Sequence, residues 1–125
     1  MTGQRDARQQ AERRGRWAET LAVLMLSLKG YRIIARRART PAGEIDLIAR
    51  RGGVLVFTEV KARDSQEAGA SAVTPRQRER ITRAAEAFVL ARPDLAGLDW
   101  RFDLITVAGL FRLRHLADAW RPGLA

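Results

Sequence analysis

Cysteine is absent from the 125 residues, which excludes a disulfide framework and any thiolate metal site and fits a reducing cytoplasm. Histidine occurs once, as His115. It has no second His or Cys nearby to share a metal, so it reads as a structural residue. Lysine is almost missing, since of 23 basic residues only Lys29 and Lys61 are lysines. Arginine keeps its proton under ordinary conditions, whereas lysine yields it when its surroundings lower the pKa, so the two lysines are the more informative cations. Long hydrophobic runs are also lacking. The longest uncharged stretch in the first helix, Thr20 to Leu28, has nine residues, against the roughly 20 that span a bilayer. Lys29 closes it and no A-x-A-like cleavage site follows, which argues against a signal peptide. There is no internal repeat, no Gly-rich phosphate loop and no nucleophile elbow.

What is present is 46% apolar residues and a formal charge of +9 with a pI near 11.5. This length predicts one domain with one core. Residues 1–16, with Arg5, Arg8, Arg13, Arg14 and Arg16, read as a basic N-terminal arm or helix extension, and 17–125 as the domain. The charge points to a polyanion, first of all nucleic acid and less strongly an anionic membrane surface. A basic protein without such a partner stays open on charge alone.

The chain is organised around residues 43–63, GEIDLIARRGGVLVFTEVKAR. Two β-rich runs are joined by Gly52-Gly53, which takes the positive φ angles of a two-residue hairpin turn. That register sets Arg51 opposite Val54, Ile48 opposite Phe57, Asp46 opposite Glu59 and Glu44 opposite Lys61. With a period of two, Glu44, Asp46, Ile48, Phe57, Glu59 and Lys61 share one face, and Ile45, Leu47, Val54, Val56 and Val60 share the other. Like charges directly opposite are destabilising. Asp46 facing Glu59 therefore calls for a cation between them.

Upstream, Trp17 to Leu28 predicts a buried helix capped by Gly30, with Glu19 on the face of Ala22, Val23 and Leu26. A lone glutamate at a helix entry ordinarily complements the dipole. Tyr31 to Ala38 predicts a strand. Residues 64–73 predict a polar loop close to the charged face, and Thr74-Pro75 starts a second helix. On that helix Arg76, Arg80 and Arg83 form a row suited to a nucleic-acid backbone, or simply a solvated face. Trp100 to Val107 predicts a strand, Phe111 to Leu116 an edge strand, and Ala117 to Trp120 a short helix or tail. Trp17, Trp100 and Trp120 read as core or edge packing.

Asp46 and Glu59 are hard oxygen ligands suited to Mg²⁺ or Mn²⁺, with water and phosphate oxygens completing the shell. The Val60 carbonyl is a further candidate ligand, and Lys61 would orient a water or neutralise a phosphorane-like transition state. A structural ion pair of Lys61 with Glu44 or Glu59 is the plainer alternative.

Asp46, Glu59, Val60 and Lys61 in the order strand, turn, strand resemble the PD-(D/E)XK nuclease signature, and the segments GEIDLIA, FTEVKAR and RFDLITV are similar to the YraN-like family of small bacterial proteins. That family is similar in turn to archaeal Holliday junction resolvases. The resemblance implies an α/β restriction-endonuclease-like αβββαβ core, a mixed central sheet flanked by helices. It also implies a metal-dependent endodeoxyribonuclease acting on branched or otherwise structured DNA, with Asp46, Glu59 and Lys61 catalytic, Glu19 reaching the metal site, and a homodimer as the working form. Arg63, Arg76, Arg80 and Arg83 would contact DNA. A non-catalytic nucleic-acid-binding protein with the same fold, or a protein-interaction factor, is the alternative. Ile45 stands where the signature has proline. Thr58 and Arg37 replace the Val and Asn frequent in the family, and neither is expected to touch a ligand.

Overall fold

The hairpin forms in the expected register, β2 (Gly43–Arg51) pairing antiparallel with β3 (Val54–Arg63) from Arg51↔Val54 through Ile48↔Phe57. Gly52 turns the chain at φ +59°, a conformation that favours glycine. The computed structural model describes residues 2–63, 73–109 and 112–122, with side chains in those ranges from Gly15 onward, Arg63 excepted. The loop expected at 64–73 lies outside the described residues except for Val73.

Helix α1 runs from Thr2 to Leu28, so the basic N-terminal tract continues into the helix predicted from Trp17. It stops where Gly30 takes φ +88° and the Tyr31 amide reaches back to the Leu26 carbonyl at 2.9 Å, a Schellman-type end. Strand β1 (Arg32–Thr40) pairs antiparallel with β2. Helix α2 (Pro75–Leu90) starts in a complete Thr74–Gln77 capping box with proline in its first turn, as the Thr-Pro pair predicts. It supplies the crossover that a parallel pair requires and delivers the chain into β4 (Asp99–Ala108), which runs parallel to β3. Strand β5 (Arg112–Trp120) returns antiparallel on β4. The sheet order is β1-β2-β3-β4-β5, giving the mixed α/β sheet and the αβββαβ element order expected, plus one further edge strand.

The terminal helix or tail expected at Ala117 to Trp120 is instead the end of β5. Asp118 bends it at φ +55° and donates its amide to the Asp103 carboxylate at 3.0 Å. Trp120 is thereby returned to the core, where it stacks on Phe102 and Phe102 on Phe57. Trp17 and Trp100 keep 46% and 37% of their surface exposed, so of the three tryptophans only Trp120 is core.

Two apolar clusters cover the sheet. One packs Ile81, Ala84 and Ala85 of α2 on Ile45, Ile48, Phe57 and Leu104, and the other packs Ala18, Ala22 and Leu26 of α1 on Leu47, Ala49, Val56 and Ile105. The face assignment for β2 is therefore corrected. Ile45 lies on the α2 side together with Ile48, whereas Leu47 lies on the α1 side. A period-two strand cannot do this unless it breaks between Ile45 and Leu47, at Asp46. Its neighbour β1 breaks in step, since Arg37, between Arg36↔Leu47 and Ala38↔Ile45, has φ +49°.

Among the described residues no helix is long and apolar enough to cross a membrane.

Candidate metal centre and nuclease site

The break at Asp46 creates the site. Among the described residues the β2–β3 ladder stops at Leu47↔Thr58, so Asp46 and Glu59 do not continue it as a regular pair. The Asp46 carboxylate takes over as acceptor, with Oδ2 receiving the Val60 amide at 2.8 Å. This side-chain acceptor interrupts the ladder and leaves a notch between β2 and β3.

The two carboxyls remain together in the notch. Burial, then the charge of Glu59, raise the Asp46 pKa from 3.8 to about 7; the Val60 amide opposes this, and Glu19 and a hydrogen bond with Glu59 add to it. Glu59 is in turn held by Lys61, with Nζ 3.3 Å from Oε1 and both side chains mostly buried. The partner of Lys61 is thus Glu59 and not Glu44. Glu44 faces Arg39 at 3.6 Å on the exposed side of β2, because the break at Asp46 turns it away from the β3 carboxylate.

Glu19 comes to the same neighbourhood from α1. It is 8% exposed and close enough to raise the Asp46 pKa. Its oxygens nevertheless both accept from Arg37 Nε at 3.0 Å. The expectation that Arg37 touches no ligand is therefore overturned, since Arg37 clamps Glu19, the residue expected to reach the metal site. Thr58 pairs with Leu47 beside the notch, and its Oγ1 is buried without a partner among the described residues. A cleft of about 310 Å³ opens alongside, lined by Gly15, Arg16, Glu19, Arg37, Arg39 and Glu44, and its three guanidinium groups against two carboxylates favour an anion.

 

Of the expected DNA contacts, Arg76, Arg80 and Arg83 are exposed on α2. The Arg80 stem lies over Gly43, where an added Cβ would meet its Cγ at 3.2 Å, so Arg80 crosses the entry to β2 close to the notch. Arg83 is paired with Glu79 at 2.6 Å. The Arg63 side chain lies outside the described residues.

Asp46 and Glu59 suit a small hard cation, because Mg²⁺ is ordinarily held by one or two carboxylates with water in the remaining positions. A divalent ion would also remove the repulsion that raises the Asp46 pKa. Among the described residues, no three Asp, Glu or His side chains converge into a ready-made cage, in keeping with Glu19 being turned to Arg37. Val60 offers its amide to Asp46 and its side chain to the α1 cluster.

A second polar cluster was not singled out from the sequence. Asp103, fully buried on β4, accepts from Arg101 at 2.8 and 2.7 Å and from His115 Nε2 at 2.7 Å, and Lys29 Nζ stands 2.9 Å from His115 Nδ1. Burial pushes the Asp103 carboxyl up, but the bonds from Arg101, His115 and the Asp118 amide outweigh it and hold the pKa at about 2. The available signal was Asp103 itself, a lone charge in the otherwise apolar run FDLITVA.

A family model described as uncharacterised protein family UPF0102 matches residues 18–107. The UPF0102 protein of Parvibaculum lavamentivorans is 55% identical over 112 residues, 90% of this chain and 84% of that protein. The UPF0102 protein of Maricaulis maris is 53% identical over 117 residues, covering 94% and 92%. Among solved structures, SfsA of Pyrococcus furiosus in complex with Ca²⁺ aligns with 77% of this chain and 58% of its own at a TM-score of 0.27 and 13% identity, too slight a likeness to carry an argument.

Proposed function

The chain belongs to the uncharacterised protein family UPF0102, the YraN family that its hairpin segments resemble, and from that premise we propose that it is a Mg²⁺- or Mn²⁺-dependent endodeoxyribonuclease acting on branched or otherwise structured DNA. The observation that carries the reading is the notch: two carboxyls held against their own repulsion, with a lysine on one of them. A pure polyanion binder gains nothing from carboxylates placed there.

Asp46 and Glu59 would hold the ion, which would supply Lewis-acid polarisation of the phosphodiester and a more acidic water. Lys61, fixed by Glu59, would present its ammonium to the charge that builds on the phosphoryl oxygens during attack. The Val60 amide fixes the Asp46 carboxylate and so sets the direction of its free oxygen. Arg80, and the arginines of the adjoining cleft, would hold the flanking backbone.

One observation favours a non-catalytic binder, namely that Arg37 neutralises Glu19 and keeps it from the notch. Labelled four-way junctions, flaps, linear duplex and single strands, incubated with Mg²⁺ or Mn²⁺, separate the readings. The nuclease reading expects cleavage that is lost in Asp46→Asn and Lys61→Ala. Binding without cleavage of any substrate supports the binder, and cleavage that survives both substitutions places the chemistry elsewhere. Sedimentation with and without junction DNA tests the proposed homodimer, which a strict monomer would remove.

A further inference from the structure

The end of the hairpin remote from Asp46 holds the reverse arrangement, two cations on adjoining elements with no counter-ion among the described residues. Lys29 follows the last turn of α1, and Arg51 closes β2. Among the described residues neither lies within ion-pair distance of a carboxylate. Both are nevertheless fixed. Lys29 Nζ lies 2.9 Å from His115 Nδ1. Because Asp103 is ionised and accepts from Nε2, the ring proton belongs on Nε2, and Nδ1 is left as the acceptor for the ammonium.

Arg51 lies with its guanidinium carbon 4.4 Å from the centre of the Tyr31 ring and donates to the Lys29 carbonyl at 3.4 Å. Tyr31 is itself held by Arg101 Nη2 at 2.6 Å. Asp103 is already bound to Arg101, so the positive charges of Lys29 and Arg51 are left over. The α1 carbonyls beneath them offer little opposition, since those of Met25, Leu26 and Ser27 are occupied by cap bonds.

We propose that Lys29 and Arg51, oriented by His115 and Tyr31, form a docking site for a phosphate of nucleic acid. Five strand positions separate Asp46 from Arg51, about 17 Å at the usual rise per residue, which corresponds to about five nucleotides at ~3.4 Å per step. The site therefore fixes backbone about five nucleotides from the phosphate held at the notch. It rests on the DNA reading above but not on cleavage. The phosphate is either an internal phosphodiester or a terminal monoester.

Fluorescence anisotropy without metal tests it, using duplexes with and without a 5′-phosphate at salt concentrations from 50 to 200 mM as ~fourfold bracket. The readout is the slope of log affinity against log salt for wild type, Lys29→Arg, Lys29→Gln and Lys29→Gln/Arg51→Gln, each with its melting temperature. The site neutralises one phosphate, so the slope should shrink by about 0.9 in the double variant and by part of that in Lys29→Gln, and Lys29→Arg should keep the wild-type slope. Shrinkage on both duplexes assigns an internal phosphodiester, and shrinkage only on the 5′-phosphorylated duplex assigns a terminal one. An unchanged slope in a folded double variant overturns this site while leaving the nuclease reading standing. Wild type that binds neither duplex also overturns this site, and the nuclease reading is then decided by the cleavage assay on junctions and flaps.

Discussion

Replacing Asp46 by Asn should stabilise the metal-free protein at pH 8. Asn keeps an oxygen for the Val60 amide, which Asp46 Oδ2 now accepts at 2.8 Å, and removes the charge that burial and Glu59 disfavour. A folded-state pKa of about 7 against 3.8 is about three units, or roughly 4 kcal/mol at 1.36 kcal/mol per unit. Because two carboxyls share the effect, a gain on the order of 2–4 kcal/mol is expected. For a chain of this size about 4 °C accompanies each kcal/mol. The sign fixes the pH window. Here the folded state holds the extra proton, so wild-type stability declines as pH rises from about 4 to about 7 and is level beyond.

The variant should therefore melt above wild type at pH 8 and close to it at pH 4. Mg²⁺ should narrow the gap. A site of Kd ~1 mM adds about 1.4 kcal/mol at 10 mM ion, to wild type only. Circular-dichroism melts from pH 4 to 9, with and without Mg²⁺, read both effects. A variant that melts below wild type at pH 8, or an advantage that does not change with pH, would mean that the Asp46 carboxylate does not destabilise the metal-free fold.

Three further outcomes follow from the same geometry. Lys61→Ala should reduce cleavage by about 10²-fold or more while the Mg²⁺-induced rise in melting temperature persists; loss of that rise would make Lys61 part of the metal site's integrity. Arg37→Asn relieves a φ of +49°, which asparagine tolerates better than arginine, and frees Glu19. Mg²⁺ affinity measured by thermal shift should rise several-fold, and a weaker affinity would show that the clamp serves the site. Asp103→Ala leaves Arg101 and His115 without their shared acceptor and should cost on the order of 3 kcal/mol in urea unfolding. The lowered Asp103 pKa places its stabilisation above about pH 4, fading as pH falls towards 2.

The hairpin, its turn and both helix boundaries at Gly30 and Thr74 were legible because each rests on local rules, namely glycine φ, capping and period-two alternation. The notch was legible only in part. That Asp46 and Glu59 meet followed from the register, but the break that separates Ile45 from Leu47 depends on Asp46 replacing a main-chain acceptor, and no periodicity encodes that. Glu44 was assigned to Lys61 for the same reason. Arg37 and Glu19 are 18 positions apart on different elements, so their bond waits on the packing of α1 against the sheet. The network of Lys29, His115, Asp103 and Arg101 joins α1, β4 and β5, and each member alone has a bland reading.

The most direct test of the metal centre is a Mn²⁺ titration followed by electron paramagnetic resonance, on wild type and on Asp46→Asn and Glu59→Gln at pH 8. Wild type should bind saturably and either variant at least ~10-fold more weakly, as removal of a ligand requires. Equal binding by all three proteins, or no binding by wild type at millimolar Mn²⁺, would contradict it.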